Sequence, residues 1–147
     1  ANSCRHKAAI VELDQFEHTG VSALLNLGHS FGHAFEKLND YQDDLKHGEA
    51  VAIGIYIAAK LSFQLGWLAN AKLKLIGDHF AAYQINYKLA KIAKNWTSQQ
   101  ILTLMQADKK ALNGQLVLVL LKDLGQAALV NQVDAALVKA LLDEELS

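Results

Sequence analysis

Leu24-Leu25-Asn26-Leu27-Gly28-His29-Ser30-Phe31-Gly32-His33-Ala34, followed by His47-Gly48-Glu49-Ala50-Val51, is the stretch that decides how this chain reads. Leu24, Leu25, Phe31, Phe35 and Leu38 recur at helical spacing, so Ser22 to Leu38 reads as a helix. His47 to Leu65 reads as a second, long helix, apolar nearly all round in its first half and therefore central. Set among these apolar residues are three histidines and an asparagine. Burying an imidazole without a partner is costly, so their presence asks for a physical reason. A metal or an anionic substrate supplies one.

Outward from this stretch the chain is mostly helical. Lys7 to Leu13 fits strand and helix equally, and His18-Thr19-Gly20 breaks the pattern. Asn39 to Lys46 reads as a polar, acidic loop, and Gly66 suits the end of the second helix. Ala71 to Tyr83 reads as a third helix, and Tyr87 to Asn95 as a short amphipathic piece. Thr97-Ser98-Gln99-Gln100 has the spacing of a capping box and opens a helix to about Leu112. Asn113-Gly114 is a turn signal. The Val- and Leu-rich Gln115 to Leu121 can pair with Gln126 to Val130 across Lys122 to Gly125 as a small hairpin. Asp134 to Leu146 reads as a last helix, with Asp134 as its cap.

The bulk composition excludes several classes. At 147 residues, 52% hydrophobic and 20% charged, the chain is long enough for one folded domain with a real core, residues 1–147. A net charge of -1 makes no electrostatic case for nucleic acid or an acidic membrane. The richest apolar run, Ala50 to Ala59, is about ten residues, too short to span a bilayer. One cysteine, Cys4, allows no internal disulfide and fits a reducing cytoplasm. The chain opens at Ala1 without a methionine and enters patterned sequence almost at once, as a piece of something longer would.

His29 and His33 are four apart and share a helix face, which makes a workable zinc clamp, but the glutamate of His-Glu-x-x-His is absent and such pairs are more often surface or capped histidines. His47 enters as a further imidazole at the start of the next helix, after a loop of a length that can return it beside His29. Glu49 is either an acceptor that holds an imidazole or a first-turn carboxylate favoured by the helix dipole. Asn26, one turn before His29, either meets a ligand or satisfies a neighbouring backbone group. Gly28 and Gly32 cost about 1 kcal/mol each against alanine, which points to close packing or space for a ligand. In Asp108-Lys109-Lys110, the lysines either complement the dipole at a helix end or pair with phosphate or carboxylate. Trp67 and Trp96 read as core or rim packing.

Leu-Asn-Leu-Gly-His-Ser-Phe-Gly-His-Ala at 25–34, with His-Gly-Glu-Ala-Val-Ala-Ile-Gly at 47–54, resembles the C-terminal domain of the 3-dehydroquinate synthase family of sugar-phosphate cyclases. Ser3-Cys4-Arg5-His6-Lys7, and Asp108-Lys109-Lys110 followed by Gly114, are supporting segments. The resemblance implies a mainly α domain, to which the residue pattern adds a small β-hairpin. It also implies an N-terminal NAD-binding α/β domain that this chain lacks. The implied reaction turns the sugar-acid phosphate DAHP into 3-dehydroquinate and phosphate in the shikimate pathway of aromatic amino acid biosynthesis. Its cofactors are Zn2+ (or Co2+) and NAD, the latter bound mainly by the missing domain. The implied full-length enzyme is a cytoplasmic homodimer, and the isolated chain is expected to be inactive.

Carried over position by position, His29 and His47 match the metal ligands, with a glutamate from the missing part as the third. His33 matches a residue near the substrate phosphate and the proton transfer, which displaces the His29/His33 clamp. Asn26, Lys7 and Lys109 (or Lys110) match substrate-contacting residues. Glu17 matches a family glutamate if the extra residue of Asp14-Gln15-Phe16-Glu17-His18 precedes Gly20. Two positions depart from the pattern: Ser22 and Ala107 stand where the family usually has arginine. A lost bidentate guanidinium removes contacts worth roughly 1.5–3 kcal/mol each. This leaves two other expectations open. One is a related cyclase acting on sedoheptulose 7-phosphate; the other is a decayed helical interaction module.

Overall fold

A computed structural model describes residues 21–39, 47–93, 95–108, 115–121 and 127–147. In chain order it has α1 (Val21–Leu38), α2 (His47–Gln64), α3 (Asn70–Ala82) and a single 3-10 turn (Leu89–Lys91). These are followed by α4 (Ser98–Asp108), β1 (Gln115–Leu121), β2 (Ala127–Asp134) and α5 (Ala135–Leu146). Among the described residues the domain is therefore mainly helical with one hairpin, as the pattern predicts. The first three helices start and end within a residue of their expected bounds.

α2 is the axis of the fold. Ala50 to Ile55, Ile57 to Ala59 and Leu61 are all buried, which is why its sequence is apolar on nearly every side. α1 and α3 pack on it, and β1 lies against both α1 and α2. α4 joins α1 to α5, and α5 in turn rests on β2 and the 3-10 turn. Phe31, Phe35, Ile53, Ile57, Ile76, Phe80, Leu89 and Leu142 meet in one continuous core.

Local chemistry sets the boundaries. α2 closes with two nested bonds, Gly66 N–H to the Phe63 carbonyl and Trp67 N–H to the Ser62 carbonyl, both 3.0 Å. Gly66 takes a left-handed φ of 84° there, a conformation glycine adopts without a Cβ penalty. The capping box at α4 forms as its spacing predicts. Thr97 N–H donates to Gln100 Oε1 at 2.9 Å, and Gln100 N–H to Thr97 Oγ1 at 3.1 Å. Asp134 caps α5 by accepting from Ala136 N–H at 2.9 Å.

Two elements differ from the sequence pattern. The amphipathic piece at 87–95 shrinks to the one 3-10 turn. Gln84 and Asn95 both hold positive φ, and Asn86 Oδ1 accepts from the Lys88 N–H at 3.0 Å, so local turns take the bonds a helix would need. The second hairpin strand runs on to Asp134, past Val130, through an irregularity between Leu116 and Leu118 that places an extra residue on β2. α4 is described to Asp108; its expected continuation to Leu112 lies outside the described residues.

Elsewhere, bulky and charged side chains close the structure. Tyr87 meets Tyr56 at 4.7 Å and Phe80 at 6.4 Å between ring centroids, with Lys88 Nζ 4.8 Å from the Tyr87 ring. Lys60 on α2 donates to Glu144 at 2.8 Å and Glu145 at 2.6 Å, tying α5 to the central helix. Trp96 stacks against Phe35, with centroids 6.2 Å apart, and Trp67 packs at the core margin.

Candidate functional site

Of the candidate residues, Asn26, His29 and His33 lie on α1 and His47 opens α2, and these two helices cross. The helices run antiparallel there, since Gly32 faces Ala50 while Gly28 faces Val51, Gly54 and Ile55. The contact is backbone against backbone. A Cβ built on Gly28 would stand 2.5 Å from the Val51 carbonyl oxygen, and one on Gly54 would overlap the Gly28 carbonyl. The close packing that Gly28 and Gly32 imply in the sequence is therefore what the structure uses them for.

At 3.6 residues per turn, positions 22, 26, 29 and 33 fall on a single stripe of α1. That stripe is roughly a third of a turn round the helix from the glycine and phenylalanine face (Gly28, Phe31, Gly32, Phe35) that packs inward. Ser22, Asn26, His29 and His33 thus share one edge of the crossing by backbone position. His47 opens α2, and Glu49 is half-buried in its first turn, level with the α1 segment around His33. Lys7, Glu17, Lys109 and Lys110 lie outside the described residues.

His33 corrects one expectation. It is exposed while Phe31, Gly32, Ala34 and Phe35 around it are buried. The burial cost that the apolar surroundings suggest does not apply to this ring. An imidazole on the margin of a packed helix is open to a molecule arriving from outside the domain.

Two imidazoles on adjacent helices suit a divalent metal by donor chemistry, because neutral histidine nitrogen is a common zinc ligand. Among the described residues, no three or more His, Cys, Asp or Glu side chains converge as a metal site; those of His29 and His47 are not among the described side chains. Two donors leave a metal short of a structural or catalytic set, which needs at least one further ligand. Also among the described residues, no helix is long and apolar enough to cross a membrane.

Residues 1–111 match the family model described as 3-dehydroquinate synthase C-terminal. The chain is 43% identical, over its whole length, to the 3-dehydroquinate synthase of Nitrobacter winogradskyi, of which it covers 39%. It is 44% identical over 95% of its length to that of Acinetobacter baylyi, of which it covers 37%. It therefore spans about two fifths of the curated relatives it matches. Among solved structures it resembles 2-deoxy-scyllo-inosose synthase complexed with carbaglucose-6-phosphate, NAD+ and Co2+. The TM-score is 0.61 at 25% identity, over 81% of this chain and 32% of that one. The fold also matches a 2-epi-5-epi-valiolone synthase from Streptomyces hygroscopicus subsp. jinggangensis with NAD+ and Zn2+ bound. There the TM-score is 0.62 at 24% identity, over 79% of this chain and 32% of that one.

Proposed function

The chain belongs to the 3-dehydroquinate synthase C-terminal family, and from that premise we propose that it is the metal- and substrate-binding part of a 3-dehydroquinate synthase. The full enzyme converts DAHP to 3-dehydroquinate and phosphate. The observation that carries this reading is the crossing itself. Backbone contact between α1 and α2 holds the helix bearing Asn26, His29 and His33 against the first turns of the helix that His47 begins. Relatives about 40% identical over the whole chain, all named 3-dehydroquinate synthase, support it.

His29 and His47 hold a divalent metal, zinc or cobalt, with a third ligand from the N-terminal part that the relatives have. Once bound, the metal would supply polarisation of a substrate oxygen, and NAD, held by the N-terminal part, would supply the redox chemistry. The other groups belong to this chain. His33, exposed beside the crossing, holds or moves a proton during phosphate elimination. Asn26 hydrogen-bonds the substrate from the same stripe of α1. Lys7 and Lys109 pair with its carboxylate and phosphate, and Glu17 completes the polar set. The full-length protein is a cytoplasmic homodimer in this reading.

A second reading rests on Ser22. That position shares the stripe of Asn26, His29 and His33, so a missing guanidinium there is missing from the site itself. A cyclase that takes sedoheptulose 7-phosphate, which has no carboxylate, has less need of it.

Two measurements test the proposal. The chain should bind zinc in the presence of the N-terminal part of the Nitrobacter winogradskyi relative. A His29→Ala, His47→Ala double variant should lose that zinc; equal zinc in both would refute the ligand assignment. The reconstituted protein should form 3-dehydroquinate from DAHP, and the chain alone, given NAD and zinc, should not. Faster turnover of sedoheptulose 7-phosphate than of DAHP would favour the second reading.

A further inference from the structure

Helix propensity alone favours alanine at Gly28, Gly32 and Gly54. Each faces main chain. A Cβ on Gly28 would stand 2.5 Å from the Val51 carbonyl oxygen and 3.1 Å from the Ile55 nitrogen. On Gly32 it would stand 3.0 Å from the Ala50 carbonyl oxygen, and on Gly54 it would overlap the Gly28 carbonyl. A crowded side chain can turn to another rotamer. A crowded helix backbone yields only if the helix moves. Gly66 and Gly77 differ: Gly66 faces open space, and Gly77 faces the Tyr87 ring.

Such a movement would not be neutral for the site. Gly28 directly precedes His29, Gly32 directly precedes His33, and Gly54 lies two turns beyond His47 on the same helix. Any atom added between the helices displaces the His29 segment relative to the start of α2. Metal–ligand distances tolerate only about 0.2 Å.

We propose that Gly28, Gly32 and Gly54 are positioning residues of the metal site. Their backbone contact sets the separation between the helix carrying His29 and the helix that His47 begins. The proposal rests on the reading that these two histidines bind the metal.

Co2+ is the probe, because its visible d–d bands report coordination geometry independently of turnover. The chain is combined with the N-terminal part of the Nitrobacter winogradskyi relative and titrated with Co2+ alone. Unsubstituted protein should give bands that the His29→Ala, His47→Ala variant lacks. Gly32→Ala, the mildest intrusion, should shift the bands and weaken Co2+ binding about tenfold; Gly54→Ala should weaken it about a hundredfold, the range seen when groups orienting metal ligands are altered. Ile76→Val, a truncation in the α3 core, should lower the thermal midpoint and leave bands and affinity alone.

If Gly54→Ala fails to fold, Gly32→Ala decides. Native bands and affinity in Gly32→Ala would overturn the positioning role while leaving the metal reading intact. Bands that move as far in Ile76→Val would overturn it too, by making the effect one of stability. Absence of histidine-dependent bands in the unsubstituted protein would overturn the metal reading and this proposal together.

Discussion

The α1–α2 crossing and the α3–α5 side of the molecule are packed on opposite terms. At the crossing Gly28, Gly32 and Gly54 bring main chain against main chain. On the far side the gap is filled by Phe80, Ile76, Tyr56 and Tyr87 and closed by Lys60 on Glu144 and Glu145. One region is damaged by adding atoms, the other by removing them. The first carries the histidines and has to place them. The second only has to close the core, and bulky apolar side chains do that with the largest gain from burial.

The largest effect should come from emptying the far side. Phe80 is fully buried, so Phe80→Ala should cost about 3–5 kcal/mol in urea denaturation. A cost below that of a surface change would mean the α3 side is not a packed core. At the crossing the sign of the volume change reverses. Gly28→Ala should destabilise by about 1–3 kcal/mol through overpacking, although helix propensity by itself predicts a gain of about 1. A stabilised Gly28→Ala would erase the contrast between the regions.

The ion pair between α2 and α5 sharpens the comparison through pH. Burial disfavours the Lys60 ammonium, but hydrogen bonds to Glu144 and Glu145 outweigh that, and its pKa stands above the ordinary 10.5. A raised pKa contributes stability that is complete below about pH 10.5 and is lost as pH rises through the raised value. Tyr56, whose hydroxyl is pushed up by burial first and by Glu145 second, weakens the fold in the same alkaline range. Lys60→Met should cost about 1–3 kcal/mol at pH 7 and flatten the alkaline fall in urea midpoint. An unchanged fall would remove Lys60 from the account. The smallest effect is at a cap away from both regions: Thr97→Ala should cost about 1 kcal/mol, read from the thermal midpoint.

Much of the fold was legible because its signals are local. Helical spacing marks α1 and α2, Thr97 and Gln100 mark the start of α4, and Asp134 marks the start of α5. Each rests on residues within four positions of one another, so no distant contact is needed to read it. The piece at 87–95 was not legible, since its amphipathic pattern suits a helix while the Asn86 turn and the positive φ of Gln84 and Asn95 divert the backbone. The longer β2 was hidden for a related reason: its register is set by pairing with β1.

For the site, the stripe of Ser22, Asn26, His29 and His33 follows from helical period, and the histidine segments carry the family resemblance. That His33 is exposed could not be read from its neighbours. Phe31, Gly32, Ala34 and Phe35 are all buried, and only the packing direction of α1 separates His33 from them. Gly54 was missed as a structural partner. One glycine in an apolar helix says nothing of what faces it.

The sequence by itself determined which segments are helical, where they are capped and which family the chain joins, because those follow from residue types at short fixed spacings. Only the tertiary structure decided that three glycines meet main chain across the crossing, and that His33 stays outside the core. Contact between distant segments depends on how whole helices pack, and no local pattern encodes that distance.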